Sequence, residues 1–226
     1  MHYLTSIGRN SARIAALAEI ADLSTPVPSC PEWTLGDLVF HLGAVQRFWA
    51  TTVNDRNPDE KSSVDESDVD DAVLVAWARE QTLALVDALK DASADAPCWT
   101  WWGEPRTTGA VARHQAQESA VHCWDACNAL AQSFEIPREQ AVDGIDEFLS
   151  VMASQLGVLT SNHLSFQPDD TVDVITWGDR SLPPIRLRAS ASDLVLVLYG
   201  RRPLDTVRVE GDVPVVQQWL DEMDLS

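Results

Sequence analysis

The chain has 226 residues, 45% of them hydrophobic and nine of them tryptophan, and its formal net charge is −19 from 16 basic and 35 acidic side chains. This length is enough for one large or two modest domains, and this composition excludes a wholly disordered chain. Because a strongly acidic protein repels phosphate backbones and anionic lipid, we expect neither a nucleic-acid partner nor a membrane partner.

The start of the chain and its cysteines indicate where the protein resides. No apolar run reaches the roughly 20 residues of a membrane-spanning helix. The first residues lack a cationic stretch followed by an apolar block, so no signal peptide is predicted. Cys30, Cys98, Cys123 and Cys127 form no CxxC pair and are typical of reduced thiols. We therefore expect a cytoplasmic protein.

The N-terminal pattern predicts a helix followed by a sharp break. Residues 11–20 alternate small, apolar and polar side chains at helical spacing, after a possible N-cap at Ser6 or Ser11. Residues 23–31 contain three prolines within six positions, which a helix interior does not tolerate. The chain is therefore predicted to turn before a second helix begins.

The second predicted helix carries a clear start signal. Thr34 is followed three residues later by Asp37, a short version of the capping box. An acid-rich loop at residues 54–70 and an aromatic connector at residues 96–105 separate this helix from the later ones. Further helices are predicted at residues 71–91, 108–132 and 138–155.

The pattern changes near residue 169. Residues 171–177 and 185–189 alternate with period two and predict strands, and residues 204–210 predict another. Short helices are predicted at residues 190–198 and 212–223. The sequence therefore predicts an α+β protein, with a helical bundle over residues 1–160 followed by a small α+β domain over residues 161–226.

One pair of side chains in the fourth predicted helix has the spacing of metal ligands. Glu118 and His122 are one helical turn apart and lie on the same helix face. His41, beside the apolar stripe of the second helix, is the candidate third ligand. Two histidines and one carboxylate match a catalytic zinc site with an open position, and also suit iron or nickel.

Spacing alone leaves two simpler interpretations of these residues. A Glu and a His one turn apart often form only a solvated ion pair. A single histidine on an apolar face is usually a hydrogen-bonded core residue.

Three ordered segments resemble the mycothiol-dependent maleylpyruvate isomerase family, which belongs to the DinB-like metalloprotein superfamily. The first is PSCPEWTLGDLVFHLG at residues 28–43. The second, RHQAQESAVHCWDA at residues 113–126, resembles the family block HE..VHRWDA. The third runs from DLVLVLYGRRP at residues 193–203 to VEGD at residues 209–212 and resembles the family's C-terminal, sterol-carrier-like domain.

The resemblance implies a DinB-like four-helix bundle that binds zinc, or another divalent metal, through His41, Glu118 and His122. It also implies mycothiol as the thiol cofactor or cosubstrate, with a small electrophile such as maleylpyruvate as the partner. Metal coordination deprotonates a thiol whose ordinary pKa is about 8.5 and so makes a nucleophile. The protein is expected to be a monomer or a homodimer.

Four functions remain open at this point. An isomerase would add the thiolate to a conjugated double bond, allow rotation and release it, whereas an S-transferase in detoxification or secondary metabolism would leave the thiol attached. A non-catalytic binding protein is the rival class, although structural zinc usually has four protein ligands. A sensor ranks last, because the charge offers no DNA-reading surface.

An acidic substrate needs a cation, and the family carries a functionally important arginine after the apolar helix of the second domain. Arg201 and Arg202 occupy that region and are assigned to the substrate carboxylate, which arginine can bind through two hydrogen bonds. The alternative is that they only complement the negative C-terminus of that helix.

Two positions depart from the family block. Cys123 stands where an arginine is common, and Gln117 where a histidine usually precedes the glutamate. Neither is an expected ligand, so the departures bear on substrate identity more than on the metal. Asp125 is predicted either to orient a ligand or to be a structural hydrogen-bond partner. Cys123 and Cys127 are expected to be two packed thiols rather than a disulfide.

Overall fold

The computed structural model describes residues 2–64, 69–154 and 161–223. Its internal contacts divide the chain between Phe134 and Glu135 into two units. The first is helical and the second combines a small sheet with helices, so the predicted α+β fold class is confirmed.

The division between the units differs from the predicted one at residue 160. The fifth helix follows Glu135 and packs against the apolar helix of the second unit, so it groups with that unit rather than with the bundle. The predicted boundary itself adjoins residues 155–160, which lie outside the described residues.

Four helices form the first unit. They are α1 (Tyr3–Ala18), α2 (Leu35–Asp55), α3 (Asp71–Asp91) and α4 (Thr108–Ala129). The main packing pairs are α2 with α3, α1 with α4, and α1 with α3. Among the described residues, α4 is buried over nearly its whole circumference, as expected of the central helix of a bundle. Side chains that α4 carries therefore point into the unit's interior.

Helix starts in this unit follow local capping chemistry, with one exception. Thr34 accepts a hydrogen bond from the Asp37 backbone N–H, and Asp37 accepts one from the Thr34 backbone, so the predicted capping box is confirmed. The predicted cap of α1 was wrong, because the helix already begins at Tyr3. Ser6 and Ser11 lie inside it, where the Ser11 hydroxyl accepts a hydrogen bond from the Gln46 amide at 2.8 Å.

Gly43 on α2 allows a close approach between helices. The Trp77 ring of α3 lies so close that a Cβ at Gly43 would collide with it, and the same ring stacks on Phe40 with centroids 5.6 Å apart. We expect Gly43→Ala to lower the free energy of unfolding by about 1–3 kcal/mol, since overpacking outweighs the better helix propensity of alanine. Urea unfolding would measure this difference.

Gly8→Ala on α1 is the matched control, because an added Cβ there meets nothing within 4 Å. It should leave stability unchanged or raise it by up to about 1 kcal/mol. Equal stability of the two variants would refute the steric role of Gly43.

The second unit contains a four-stranded sheet in the order β2-β1-β3-β4. Strand β1 is parallel to β3, and the other two pairs are antiparallel. Its elements are α5 (Arg138–Phe148), a π-helical turn (Leu149–Ala153), β1 (His163–Pro168), β2 (Ile175–Gly178), β3 (Pro184–Ala189), α6 (Ala191–Leu198), a 3₁₀ turn (Leu204–Thr206), β4 (Arg208–Glu210) and α7 (Val213–Asp221).

Several predicted elements of the second unit change in extent. The strand predicted from residue 171 begins only at Ile175, and the one predicted over residues 204–210 is reduced to β4 behind a 3₁₀ turn. The predicted helix 138–155 becomes α5 followed by a π-helical turn, and residue 155 lies outside the described part. Ser190 caps α6 and Asp212 caps α7, so both helices begin where predicted.

None of the helices described in the structure is long and apolar enough to cross a membrane.

Candidate metal centre

Three side chains from two helices of the first unit converge at one point. Nε2 of His41 on α2 lies 3.1 Å from Oε1 of Glu118 on α4, and Nε2 of His122 lies 3.4 Å from the same oxygen. The three candidate ligand atoms all lie within 4.8 Å of one another. The structure therefore places these three residues next to one another, as the sequence predicted.

These separations suit a tetrahedral metal. Ligand atoms about 2.0–2.1 Å from a tetrahedral zinc lie about 3.3 Å from one another. The two measured separations, 3.1 and 3.4 Å, bracket that value. Two imidazole nitrogens and one carboxylate oxygen form a donor set that suits zinc and leaves a fourth position open.

His122 is held from behind by a buried carboxylate. Its Nδ1–H donates to Oδ2 of Asp125 at 3.0 Å, which fixes the ring with Nε2 toward Glu118. The Asp125 side chain is fully buried, and its other oxygen accepts a hydrogen bond from the Ser29 hydroxyl at 2.6 Å. This is the arrangement in which an outer carboxylate orients a metal-ligating histidine.

The electrostatics of the cluster favour charged groups. Burial alone would raise the pKa of Glu118, but the charges and hydrogen bonds of His122 and His41 outweigh it and hold that pKa well below its ordinary value. Burial alone would lower the pKa of His122, but Glu118 and Asp125 together raise it to about 9. In the metal-free chain His122 is therefore protonated at neutral pH, and a metal must displace that proton to bind.

One side of the cluster is covered by an indole. The Trp33 ring lies 4.6 Å from the His41 ring and 5.9 Å from the His122 ring, between centroids. The His41 side chain remains 34% exposed, whereas that of His122 is 8% exposed. The centre is therefore accessible from the His41 side. Trp33 was not singled out from the sequence, although it lies within the segment 28–43 that carries the resemblance.

A cleft of about 840 Å³ opens beside Glu118 in the same unit. Its walls carry aromatic side chains from α2, α3 and the connector before α4, and two cationic side chains also line it. The lining includes Phe40, Arg47, Phe48, Lys61, Trp77 and Trp101. No period or motif in the sequence predicts this cleft, because its residues come from five separate segments.

Arg201 and Arg202 lie in the second unit, directly after α6. Nη1 of Arg202 forms an ion pair with Oδ1 of Asp193 at 2.7 Å, and Nη1 of Arg201 donates to the Tyr199 carbonyl at 2.9 Å. Both line a cleft of about 530 Å³ within that unit. The Arg201 bond agrees with the helix-terminus interpretation, whereas Arg202 pairs with a residue of the first turn of α6. The carboxylate-binding role of both arginines stays a proposal.

The residues that depart from the family block are buried in α4. Cys123 and Gln117 are both fully inaccessible to solvent. All four cysteines are free, so the prediction that Cys123 and Cys127 do not form a disulfide is confirmed.

Comparison with known proteins assigns the chain to a family. The model of the mycothiol maleylpyruvate isomerase N-terminal domain matches residues 4–127, and that of the associated C-terminal domain matches residues 139–218. No curated protein matches the chain significantly. A crystal structure of a mycothiol-dependent maleylpyruvate isomerase superposes with a TM-score of 0.73 at 15% identity, over 94% of this chain and 93% of that one.

A mutant of a mycothiol-dependent maleylpyruvate isomerase gives a TM-score of 0.72 at 14% identity, with the same coverage. At this identity the structural likeness establishes the fold, and the two domain matches establish the relationship. The chain belongs to the mycothiol maleylpyruvate isomerase family.

Proposed function

We propose that this protein is a cytoplasmic, metal-dependent enzyme that uses a low-molecular-weight thiol, mycothiol, to isomerise a small electrophile such as maleylpyruvate. The observation that carries the proposal is the convergence of His41, Glu118 and His122 at separations that fit a tetrahedral ion. Family membership supports the choice of mycothiol as the thiol and of isomerisation as the reaction.

Each residue of the centre has a separate task. His41 and Glu118 supply two of the ligand atoms from facing helices, and His122 supplies the third while Asp125 fixes its tautomer. A zinc ion bound there would lower the pKa of a thiol and so increase its thiolate fraction at neutral pH. Trp33 shields one side of the imidazoles, which directs the thiol to the more exposed His41 side.

The thiolate would add to the carbon of a double bond conjugated with a carbonyl group. The π electrons of that bond move into the carbonyl group to form an enolate, so the former double bond becomes a single bond and can rotate. Collapse of the enolate then expels the thiolate and restores the double bond in the other geometry. The thiol is regenerated unchanged, and the product differs from the substrate only in the geometry of the double bond. S-transfer is the second candidate, because a cleft of about 840 Å³ walled by aromatic side chains favours electrophiles bulkier than a small diacid.

The test is metal content together with thiol-dependent turnover. Purified protein is expected to contain about one zinc per chain, and to convert maleylpyruvate only when mycothiol is present. Recovery of free thiol with a rearranged product indicates isomerisation, and a stable thioether indicates S-transfer. Protein that neither contains nor takes up a divalent metal would refute the proposal and leave a binding protein.

For Arg201 and Arg202 we propose contact with the substrate carboxylate. Arg201→Gln and Arg202→Gln are each expected to raise KM and to lower kcat/KM by about tenfold or more, the cost of one hydrogen bond to a charged group. Steady-state kinetics over a range of substrate concentrations would measure this.

Arg208→Gln is the matched control, since Arg208 is an exposed arginine of the same unit whose side chain is 74% accessible. If the arginines only stabilise the end of α6, the two variants will melt earlier than wild type while kcat/KM per folded molecule stays unchanged. That result would remove them from the site.

A further inference from the structure

The cleft beside Glu118 holds two cationic side chains in a chain whose net charge is −19. No ion pair or hydrogen bond of the Arg47 guanidinium occurs within the described ranges. Nζ of Lys61 lies 5.5 Å from the centroid of the Phe48 ring, which leaves its ammonium charge uncompensated by any acid in the part of the chain that is described. Uncompensated cations inside a cleft of an acidic protein indicate a site for an anion.

The remaining walls are mainly apolar and aromatic. The other polar side chains that line the cleft are Ser62, Ser63, His114 and Glu118, and Glu118 is paired with His41 and His122. Trp77 and Phe40 stack with an interplanar angle of 16°, and Phe48 and Trp101 form further wall surface. Trp101 is 41% exposed, which is unusual for so large an apolar side chain. Aromatic walls of this kind bind planar apolar groups by stacking and by excluding water.

Helix α2 sets the distance between the cations and the metal centre. Phe40, Ala44 and Arg47 have the spacing i, i+4, i+7, so they lie along one helix face, with the small Ala44 in the middle. His41 and Arg47 are six residues apart, about 9 Å along the helix axis. A ligand that reaches from Arg47 toward the metal centre is therefore favoured when it is longer than a four-carbon diacid.

We propose that this cleft selects the electrophile, and that the preferred class is a planar aromatic or extended conjugated acid. Its flat body lies against Trp77, Phe40 and Trp101, and its anionic group is bound by Arg47 with support from Lys61. The inference rests on the proposed function for the reaction that follows, but the binding itself requires neither thiol nor turnover. Arg47 thus determines specificity by binding one acidic group of the ligand.

The test measures dissociation constants by isothermal titration calorimetry at low ionic strength, on the full chain in zinc-loaded and metal-free forms. The probes are 2-naphthoate, its neutral analogue 2-naphthamide, and maleate as a small diacid without an apolar body. We expect 2-naphthoate to bind about tenfold more tightly than either comparator, in both metal forms, since one charge-assisted contact and one stacked surface are each worth about that factor.

Arg47→Gln should abolish the preference for the acid over the amide, a loss of about tenfold. Arg79→Gln is the matched control, because Arg79 is exposed on α3, pairs with Glu19 and does not line the cleft. Trp101→Ala should weaken the acid and the amide by the same factor, about fivefold, and leave the preference intact.

The proposal is overturned if the acid binds no better than the amide, if maleate binds most tightly, or if Arg47→Gln behaves like Arg79→Gln. It is also overturned if removal of the metal abolishes 2-naphthoate binding, which would place the carboxylate on the ion, or if saturating mycothiol displaces 2-naphthoate, which would assign the cleft to the thiol. Selective 2-naphthoate binding without thiol-dependent turnover would refute the proposed function and leave the cleft assignment standing.

Discussion

Replacing Glu118 with alanine is expected to abolish metal binding at micromolar metal and, with it, thiol-dependent turnover. Glu118 lies between the two histidines and approaches both through a single oxygen, so its removal opens the cluster on two sides. Zinc-finger peptides bind zinc through four ligands with about 10–16 kcal/mol, so one ligand is worth about 3–4 kcal/mol, or roughly a 150- to 900-fold change in affinity. Metal content after dialysis and competitive chelator titration would measure it.

His41→Ala should give a similar loss, because it removes the ligand atom contributed by the facing helix. Glu80→Ala is the matched control, since Glu80 is exposed on α3 and belongs to no cluster in the described structure. Added zinc should raise the Tm of wild type and of Glu80→Ala but not that of Glu118→Ala, because a ligand that binds only the folded state stabilises it. Unchanged metal affinity in Glu118→Ala would show that the cluster is an ion pair rather than a metal site.

Local signals in the sequence account for what was predicted correctly. The Thr34–Asp37 capping box depends on side chains three residues apart, and the pairing of Glu118 with His122 on one face depends on helical periodicity. Both involve neighbours in the chain, so no knowledge of tertiary packing is needed. His41 required more, because helical spacing within α4 cannot identify a ligand on another helix. Its position beside the apolar stripe of the second helix made it a candidate, and the resemblance of residues 28–43 to a known motif supported it.

Features that depend on packing between distant segments were missed. Strand β1 lacks period-two alternation, because Leu164, Ser165 and Phe166 are all buried, and so it has no strand signature. Helix α5 has an amphipathic pattern that does not specify which unit it joins, and its packing on α6 decided that. The cleft with Arg47 was missed for the same reason, since its walls meet only in the folded unit.

The role of Asp125 was left open by the sequence, and its contacts now favour one of the two alternatives. A purely structural carboxylate would be expected to make no contact with a candidate metal ligand. Asp125 instead bonds the candidate ligand His122 through one oxygen and Ser29 through the other. Ser29 lies in the proline-rich turn, so this turn holds the carboxylate behind the metal centre as well as connecting two helices.

Asp125→Asn is therefore expected to weaken metal binding by about 10–100-fold while the protein remains folded. Asparagine has the shape of aspartate and can still accept from Nδ1 of His122, but it lacks the charge. In the metal-free protein the pKa of His122, raised to about 9 with the help of Asp125, should fall in this variant. Chelator competition gives the affinity, and an NMR titration of the imidazole gives the pKa.

Ser29→Ala provides a graded comparison, because it removes one hydrogen bond to Asp125 and keeps the charge. It should weaken metal binding by less than Asp125→Asn and leave the pKa of His122 raised. The structural alternative makes the opposite prediction: Asp125→Asn would lower the Tm while metal affinity and the pKa of His122 stay at their wild-type values. If metal affinity and the pKa of His122 both fall in Asp125→Asn, the carboxylate acts on the metal through His122, since a purely structural role changes neither quantity.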